Sequence, residues 1–315
     1  MPRRAVVLMN LGGPDSSEAV RPFLVNLFGD RAIINLPLLL RWPLARLIAW
    51  RRAEIARDIY DHLGGGSPLL ANTEAQARAL EEVFGDGYRC FVAMRYWHPL
   101  TAETVAAAKE WQPDEVVCLP LYPQFSTTTT ASSLAVWRGE AKRRGLNTPT
   151  RVVQSYPTAS GFIAALAGLI GPVLGEAEAS HRVRLLLTAH GLPLKIVRAG
   201  DPYPNQVEET AAAVVAALGR CDLDWVVCYQ SRVGPLAWLG PATDDEIRRA
   251  GRDGVAVVVA PISFVSEHSE TLVELDRDYR RLAESCSVPG YYRVPAVGTD
   301  PRFIAALAEL VVTAI

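Results

Sequence analysis

At 315 residues, 50% hydrophobic and 21% charged, the chain is too apolar for disorder and long enough for two domains with their own cores. Its 32 Lys and Arg nearly balance 34 Asp and Glu, and no basic stretch is interleaved with aromatics, so no nucleic-acid partner is expected. The five cysteines (Cys90, Cys118, Cys221, Cys228 and Cys286) form no C-x-x-C pair and read as buried, reduced thiols of a cytosolic protein.

The chain opens with Arg3 and Arg4 before a short apolar run that ends at Gly12-Gly13-Pro14-Asp15. This is a first strand and turn, too short for a signal peptide. No window is read as a membrane span. Leu36 to Arg52 combines leucines, Trp42, Trp50 and four arginines, with Pro37 and Pro43. It suits a bilayer surface, the rim of an apolar pocket, or an amphipathic helix on the core, and periodicity alone does not separate these. Further strands are expected near Arg89, Glu115, Arg151, Arg184, Trp225 and Val255. Helices are expected over Thr73–Phe84, Ala102–Trp111, Ser132–Arg144, Ser160–Leu174, Pro204–Leu218 and Pro301–Ala314, most of them stopped by Gly or Pro. Thr127–Thr130 reads as a polar turn capping a helix. Strands alternating with such helices imply parallel sheets. The pattern runs twice, so the expected fold class is α/β with two similar domains, 1–153 and 154–315. The last helix is free to pack on the first domain.

Two apolar runs in the second half end in ligand-type side chains. Leu185–Ala189 leads to His190-Gly191, and Val257–Pro261 leads to Glu267, His268 and Glu270. Near-continuous apolar runs are buried parallel strands, and ligands of open α/β sheets bind beyond the carboxyl ends of such strands. An imidazole near carboxylates can hold a borderline metal or move protons. Glu267, Glu270, Glu274 and Asp278, spaced 3, 4 and 4, are expected on one helix face, either solvated or guiding cations and protons. Gly191 is expected to permit a tight turn. Gly64-Gly65-Gly66 lacks the spacing of a dinucleotide loop, and no Walker pattern exists. Arg95-Tyr96-Trp97-His98 suits a flat anionic ligand, and Trp238 suits a rigid wall.

In order along the chain, Leu11-Gly12-Gly13-Pro14, Gly64–Pro68, Arg95-Tyr96 with His98-Pro99, Tyr122-Pro123-Gln124, His190 with Leu192-Pro193, Gly200–Pro204, Gln230-Ser231 with Val233-Gly234-Pro235, Trp238–Pro241, and His268 with Glu270-Thr271-Leu272 resemble the ferrochelatase family. The resemblance implies two Rossmann-like domains with a porphyrin cleft between them. It implies insertion of Fe2+ into protoporphyrin IX, giving protohaem and two protons. It assigns catalysis to His190, as metal-site and proton-accepting histidine, and Glu270, as the carboxylate facing it across the macrocycle. Metal contact falls to His190, Glu270 and Glu274, with Asp278 continuing the acidic line. Porphyrin contact falls to Leu11, Arg52, Tyr60, Ser67, Arg95 and Trp238. Leu36 to Trp50 resembles the lip that loads the macrocycle from a membrane. Thr127 stands where cluster-bearing members have Cys, and no Cys follows Cys286, so neither a [2Fe-2S] cluster nor another permanent cofactor is expected. Leu11 stands where the coproporphyrin branch carries Tyr. A cytoplasmic monomer, touching the inner face of the membrane at most peripherally, is expected. The alternatives are a non-catalytic porphyrin or metal binder, or a chelatase for coproporphyrin or another divalent metal.

Overall fold

Runs such as Ala5–Leu8 have no solvent-exposed face, so they form strands covered by helices on both sides. The computed structural model describes residues 2–232, 234 and 236–315; Val233 and Pro235 of the Gln230–Pro235 motif lie outside them. The chain divides into one unit of Met1–Ser155 with Leu307–Ile315 and a second of Tyr156–Ala306.

The first unit runs β1 (Arg4–Asn10), α1 (Val20–Phe28), α2 (Leu38–Asp61), α3 (Leu69–Phe84), β2 (Tyr88–Met94), α4 (Thr101–Trp111), β3 (Glu115–Pro120), α5 (Thr130–Arg144) and β4 (Thr150–Val152). The second runs α6 (Ser160–Glu178), β5 (Val183–His190), α7 (Leu194–Arg198), α8 (Tyr203–Leu218), β6 (Trp225–Gln230), α9 (Thr243–Asp253), β7 (Ala256–Pro261), a π-helix (Glu270–Asp278), α10 (Tyr279–Ser285), β8 (Tyr291–Arg293) and α11 (Pro301–Ala314), whose last turns belong to the first unit. Both sheets are wholly parallel, in the orders β2-β1-β3-β4 and β6-β5-β7-β8. The same α/β topology is therefore built twice. In each sheet the chain leaves the first strand to one side and returns on the other. That makes the β5/β7 carboxyl edge a topological switch point, where a crevice opens. Val7, Met9, Phe91, Val105 and Trp137 anchor the first core; Leu186, Val257, Val259 and Leu275 anchor the second.

Several expectations need correction. α6 runs through Gly175 to Glu178 and contains Pro172. By length and composition it is apolar enough to cross a membrane, contrary to the sequence reading. Its Phe162, Ile163, Leu166, Ile170 and Leu174 are nevertheless buried in the second unit, as in a core helix. Thr129 makes no side-chain cap at α5; instead Ser126 Oγ accepts the Thr128 N–H at 3.2 Å and shapes the turn. The thiols are free among the described residues, but Cys221 is exposed and Cys90 and Cys286 are only half-buried.

α2 inverts the usual amphipathic pattern. Ala45, Ala49 and Ala53, four apart, are buried, and Ala49 packs with Val20, Phe23 and Leu24 of α1. The bulky side chains point outward, with Leu39 87% and Trp50 62% exposed. A Leu- and Trp-lined face against the core is therefore not what the Leu36–Arg52 segment provides.

α6 and α11 approach at Gly161, where an added Cβ would lie 2.4 Å from the Arg302 carbonyl oxygen and 2.8 Å from Ala306 Cβ. Backbone cannot retreat as a flexible side chain can. Gly161→Ala is expected to destabilise the protein by about 1–3 kcal/mol through overpacking, read as a fall in Tm. An unchanged Tm would show that the two helices slide apart freely.

Candidate active site

Three neighbouring strand ends supply the site of the second unit. β5 ends at His190, β6 at Gln230 immediately before Ser231, and the segment after β7 leads into the π-helix that carries Glu270 and Glu274. His190 pairs in register with Gln230. Gly191 then allows close approach rather than a left-handed turn. A Cβ there would come within 2.9 Å of the Gln230 carbonyl oxygen and 3.4 Å of the Trp238 ring.

His190 Nδ1 lies 2.9 Å from Glu270 Oε2. This overturns the expectation that a macrocycle separates the two: at hydrogen-bond distance nothing fits between them. The carboxylate instead fixes the imidazole tautomer. With Nδ1–H donated to Glu270, Nε2 carries the free lone pair. The His190 side chain is 44% exposed, so that lone pair has room for a ligand. Tyr203 OH donates to the His190 carbonyl at 3.1 Å and lies 3.2 Å from Ser263 Oγ, bracing the strand end from behind.

Glu274 is held by four donors: Ser231 N–H at 2.8 Å, Ser231 Oγ at 2.5 Å, Gln230 Nε2 at 3.2 Å and Tyr279 OH at 3.0 Å. Ser231 Oγ also lies 3.2 Å from Glu270 Oε2. The wide π turn, with Tyr279 N–H donating to the Glu274 carbonyl, sets both carboxylates toward this one serine.

The electrostatics separate the two acids. Burial works against the Glu270 charge, but His190, then His268 and the Ser231 hydroxyl, hold its carboxyl down at about 2. Burial and the neighbouring Glu270 charge raise Glu274 despite its donors. Burial opposes a charged His190, yet the charge and hydrogen bond of Glu270 keep its pKa above the ordinary value. Burial holds His268 below its ordinary value. Its Nδ1 has no hydrogen-bond partner among the described residues, and its ring meets Phe264 edge-on at 4.7 Å.

The acidic line does not continue as expected. Glu267 precedes the π-helix and binds Arg293 at 2.9 Å and the Ala296 N–H at 3.0 Å, while Asp278 pairs with Arg277 at 2.8 Å. Among the described residues no three His, Cys, Asp or Glu side chains are disposed to hold a metal ion. His190, Glu270 and Glu274 are therefore not a ready-made three-ligand centre, because the oxygens of Glu274 are already engaged by donors. A cavity of about 480 Å³ opens beside them, lined among others by Ser231, Trp238, Asp244, Glu274 and Tyr279.

The remaining candidates lie in the first unit. Tyr60 is buried among Val20, Phe23 and Tyr96, and Leu11 packs on the same cluster. Gly13 lets Ser67 come close: an added Cβ would lie 2.5 Å from Ser67 Oγ and 4.0 Å from Tyr60 OH. Leu11, Tyr60 and Ser67 are thus gathered around one turn. Arg52 sits over the Phe28 ring at 5.8 Å. Arg95 is spent on Asp30 at 2.6 Å, an acid it shares with Tyr96 OH, and offers no uncompensated charge to an anion. Sequence reasoning missed the work of Ser231, Tyr203 and Tyr279. Their only signal was position, beside a strand end or within a motif.

The lowered Glu270 contributes stability above its ordinary 4.5, lost as pH falls through about 2. The raised His190 contributes fully below its ordinary 6.5, lost as pH rises through its folded value. Both contributions are present together between about pH 4.5 and 6.5. Glu270→Gln removes the charge, so the His190 ring titration, followed by NMR, is expected to move to lower pH. An unmoved midpoint would mean that the pair does not form in solution.

A family model described as Ferrochelatase matches residues 3–315. A ferrochelatase of Caulobacter vibrioides (strain NA1000 / CB15N) is 56% identical over 312 residues, covering 98% of this chain and 89% of the relative. One from Wolbachia sp. subsp. Drosophila simulans (strain wRi) is 50% identical over 313 residues, covering 98% of each. Among solved structures, SirB from Bacillus subtilis with Fe3+ shares the fold at a TM-score of 0.54 and 11% identity, covering 99% of this chain and 95% of that one. With a model match that runs from Arg3 to Ile315, this chain belongs to the ferrochelatase family.

Proposed function

We propose that His190 and Glu270 act as one proton-accepting dyad when this chain inserts ferrous iron into protoporphyrin IX. Iron insertion into porphyrin in haem synthesis is the activity of the family to which the chain belongs. The observation that carries the finer reading is the 2.9 Å contact between His190 Nδ1 and Glu270. Metallation replaces two pyrrole N–H protons by one Fe2+, so the site must accept protons from groups that release them reluctantly. Nε2 of His190 takes the first, and Glu270, ionised down to about pH 2, stabilises the resulting imidazolium. Glu274, whose pKa lies above the ordinary carboxyl value, is the better holder of the second proton. Iron is substrate here: an oxygen of Glu270 can meet it throughout, Nε2 of His190 only before its lone pair takes the proton, and Glu274 only after releasing hydrogen bonds. Leu11, Arg52, Tyr60 and Ser67 are assigned to the porphyrin, as is Trp238; Arg95 is a weaker assignment because Asp30 already pairs with it.

We further propose that α2 touches the inner face of the membrane. Leu38, Leu39, Leu40, Trp42 and Trp50 are exposed on a helix that also carries Arg41, Arg46 and Arg51. Apolar side chains interspersed with cations suit the interface of an anionic bilayer. The chain is proposed to work in the cytoplasm as a monomer, and without a resident cluster, since Thr127 is no thiolate ligand.

His190→Ala is expected to abolish iron insertion while porphyrin still quenches tryptophan fluorescence. Insertion at the unaltered rate would remove His190 from the mechanism. Continued spectral change beyond one equivalent of porphyrin separates an enzyme from a binder. Leu39→Asp with Trp50→Ser is expected to lose co-sedimentation with anionic vesicles while keeping turnover of detergent-solubilised porphyrin. Undiminished co-sedimentation would place the membrane contact elsewhere.

A further inference from the structure

Among the described residues only Gln112, Ser231 and Ser287 combine a side chain with positive φ. Gln112 caps α4 and Ser287 follows the last residues of α10, where a left-handed residue is an ordinary way to end a helix. Ser231 has no such excuse. It follows strand β6, and its φ is +60°. L residues other than Asn and Asp seldom adopt this conformation, so the surrounding structure must over-determine it.

The compensation lies in what the turn aims. At this φ the Ser231 N–H meets Glu274 Oε1 at 2.8 Å, while its hydroxyl lies 2.5 Å from Glu274 Oε2 and 3.2 Å from Glu270 Oε2. One residue therefore touches both Glu270 and Glu274, and the farther of the two, Glu270, is the one bound to His190. Gln230, one residue earlier, adds a bond to the Glu270 carbonyl at 3.2 Å and so tethers the first turn of the helix to the same strand end. A single hydroxyl hydrogen cannot serve two acceptors fully at once. Its role is thus to keep the two side chains on one oxygen, at fixed separation, rather than to neutralise either.

We propose that Ser231 is a positioning residue for iron insertion: its strained turn and its hydroxyl lock Glu270 and Glu274 into one unit and thereby hold Glu270 against His190. The inference rests on the reading that His190 and Glu270 carry the chemistry. Groups that orient a reacting side chain, without touching substrate, are typically worth about 10–100-fold in activity.

Two variants separate this role from a purely structural one. Ser231→Ala keeps the Cβ, and with it the backbone strain, and removes only the hydroxyl. Ser231→Gly removes the hydroxyl and relieves the strain, so it has no reason to misfold. Retained porphyrin quenching of tryptophan fluorescence and a Tm of the glycine variant at or above that of the alanine variant certify the fold. Both variants are expected to lose about 10–100-fold in kcat for iron or zinc insertion, with the KM for porphyrin unchanged. A glycine variant with full kcat would overturn the proposal, as would a loss confined to the porphyrin KM. Glu270→Gln serves as the control. If it inserts metal at the full rate, the dyad reading itself falls; if it is inactive while both Ser231 variants are fully active, only the role of Ser231 falls.

Discussion

A single contact organises the second unit: the imidazole of His190 against the carboxylate of Glu270. Everything nearby sustains it. The parallel register of β5 with β6 and β7 brings three strand ends to one edge. The absence of a side chain at Gly191 lets the chain after His190 run tight against Gln230 and Trp238. Tyr203 braces the His190 carbonyl, and Ser231 anchors the π-helix side chains. The pair is partly open to solvent, so its worth to folding is modest. Its worth lies in fixing which ring nitrogen carries the lone pair.

Glu270 and Glu274 of the π-helix illustrate how similar side chains acquire different character four residues apart. Glu270 meets a group that can bear positive charge, whereas Glu274 meets only neutral donors and the charge of its neighbour. Environments that drive two titratable groups in opposite directions are how one site comes to contain both a permanent anion and a ready proton holder.

The strands that form the sheet centres were legible because burial on both faces leaves no polar position to blur the pattern. Arg4–Asn10, Glu115–Pro120, Val183–His190 and Ala256–Pro261 all begin within a few residues of their expected starts. The short strand Tyr291–Arg293 was not legible, since its three half-buried residues form no apolar run. Helix α9, with three acids in its first turn and an exposed basic face, has too few apolar residues to declare itself. At the site, His190 and Glu270 were named from strand ends and motif, but their relation was wrong. Spacing along a chain locates side chains on elements and says nothing about which way a π turn swings them. Glu267 shows the same limit: counted as part of one helical face, it lies before the helix and answers to Arg293. Arg95 reads as a free cation until Asp30, 65 residues away, is seen to claim it.

The alanine seam of α2 has a consequence of its own. Ala45, Ala49 and Ala53 are among the side chains α2 buries, Ala49 against α1, so the exposed leucines and tryptophans on the opposite side contribute little to holding the helix in place. Stickiness and foldedness are thereby uncoupled in this segment. Its outer surface is free to drift toward greasier or saltier compositions over generations, while the scaffold beneath stays as it is.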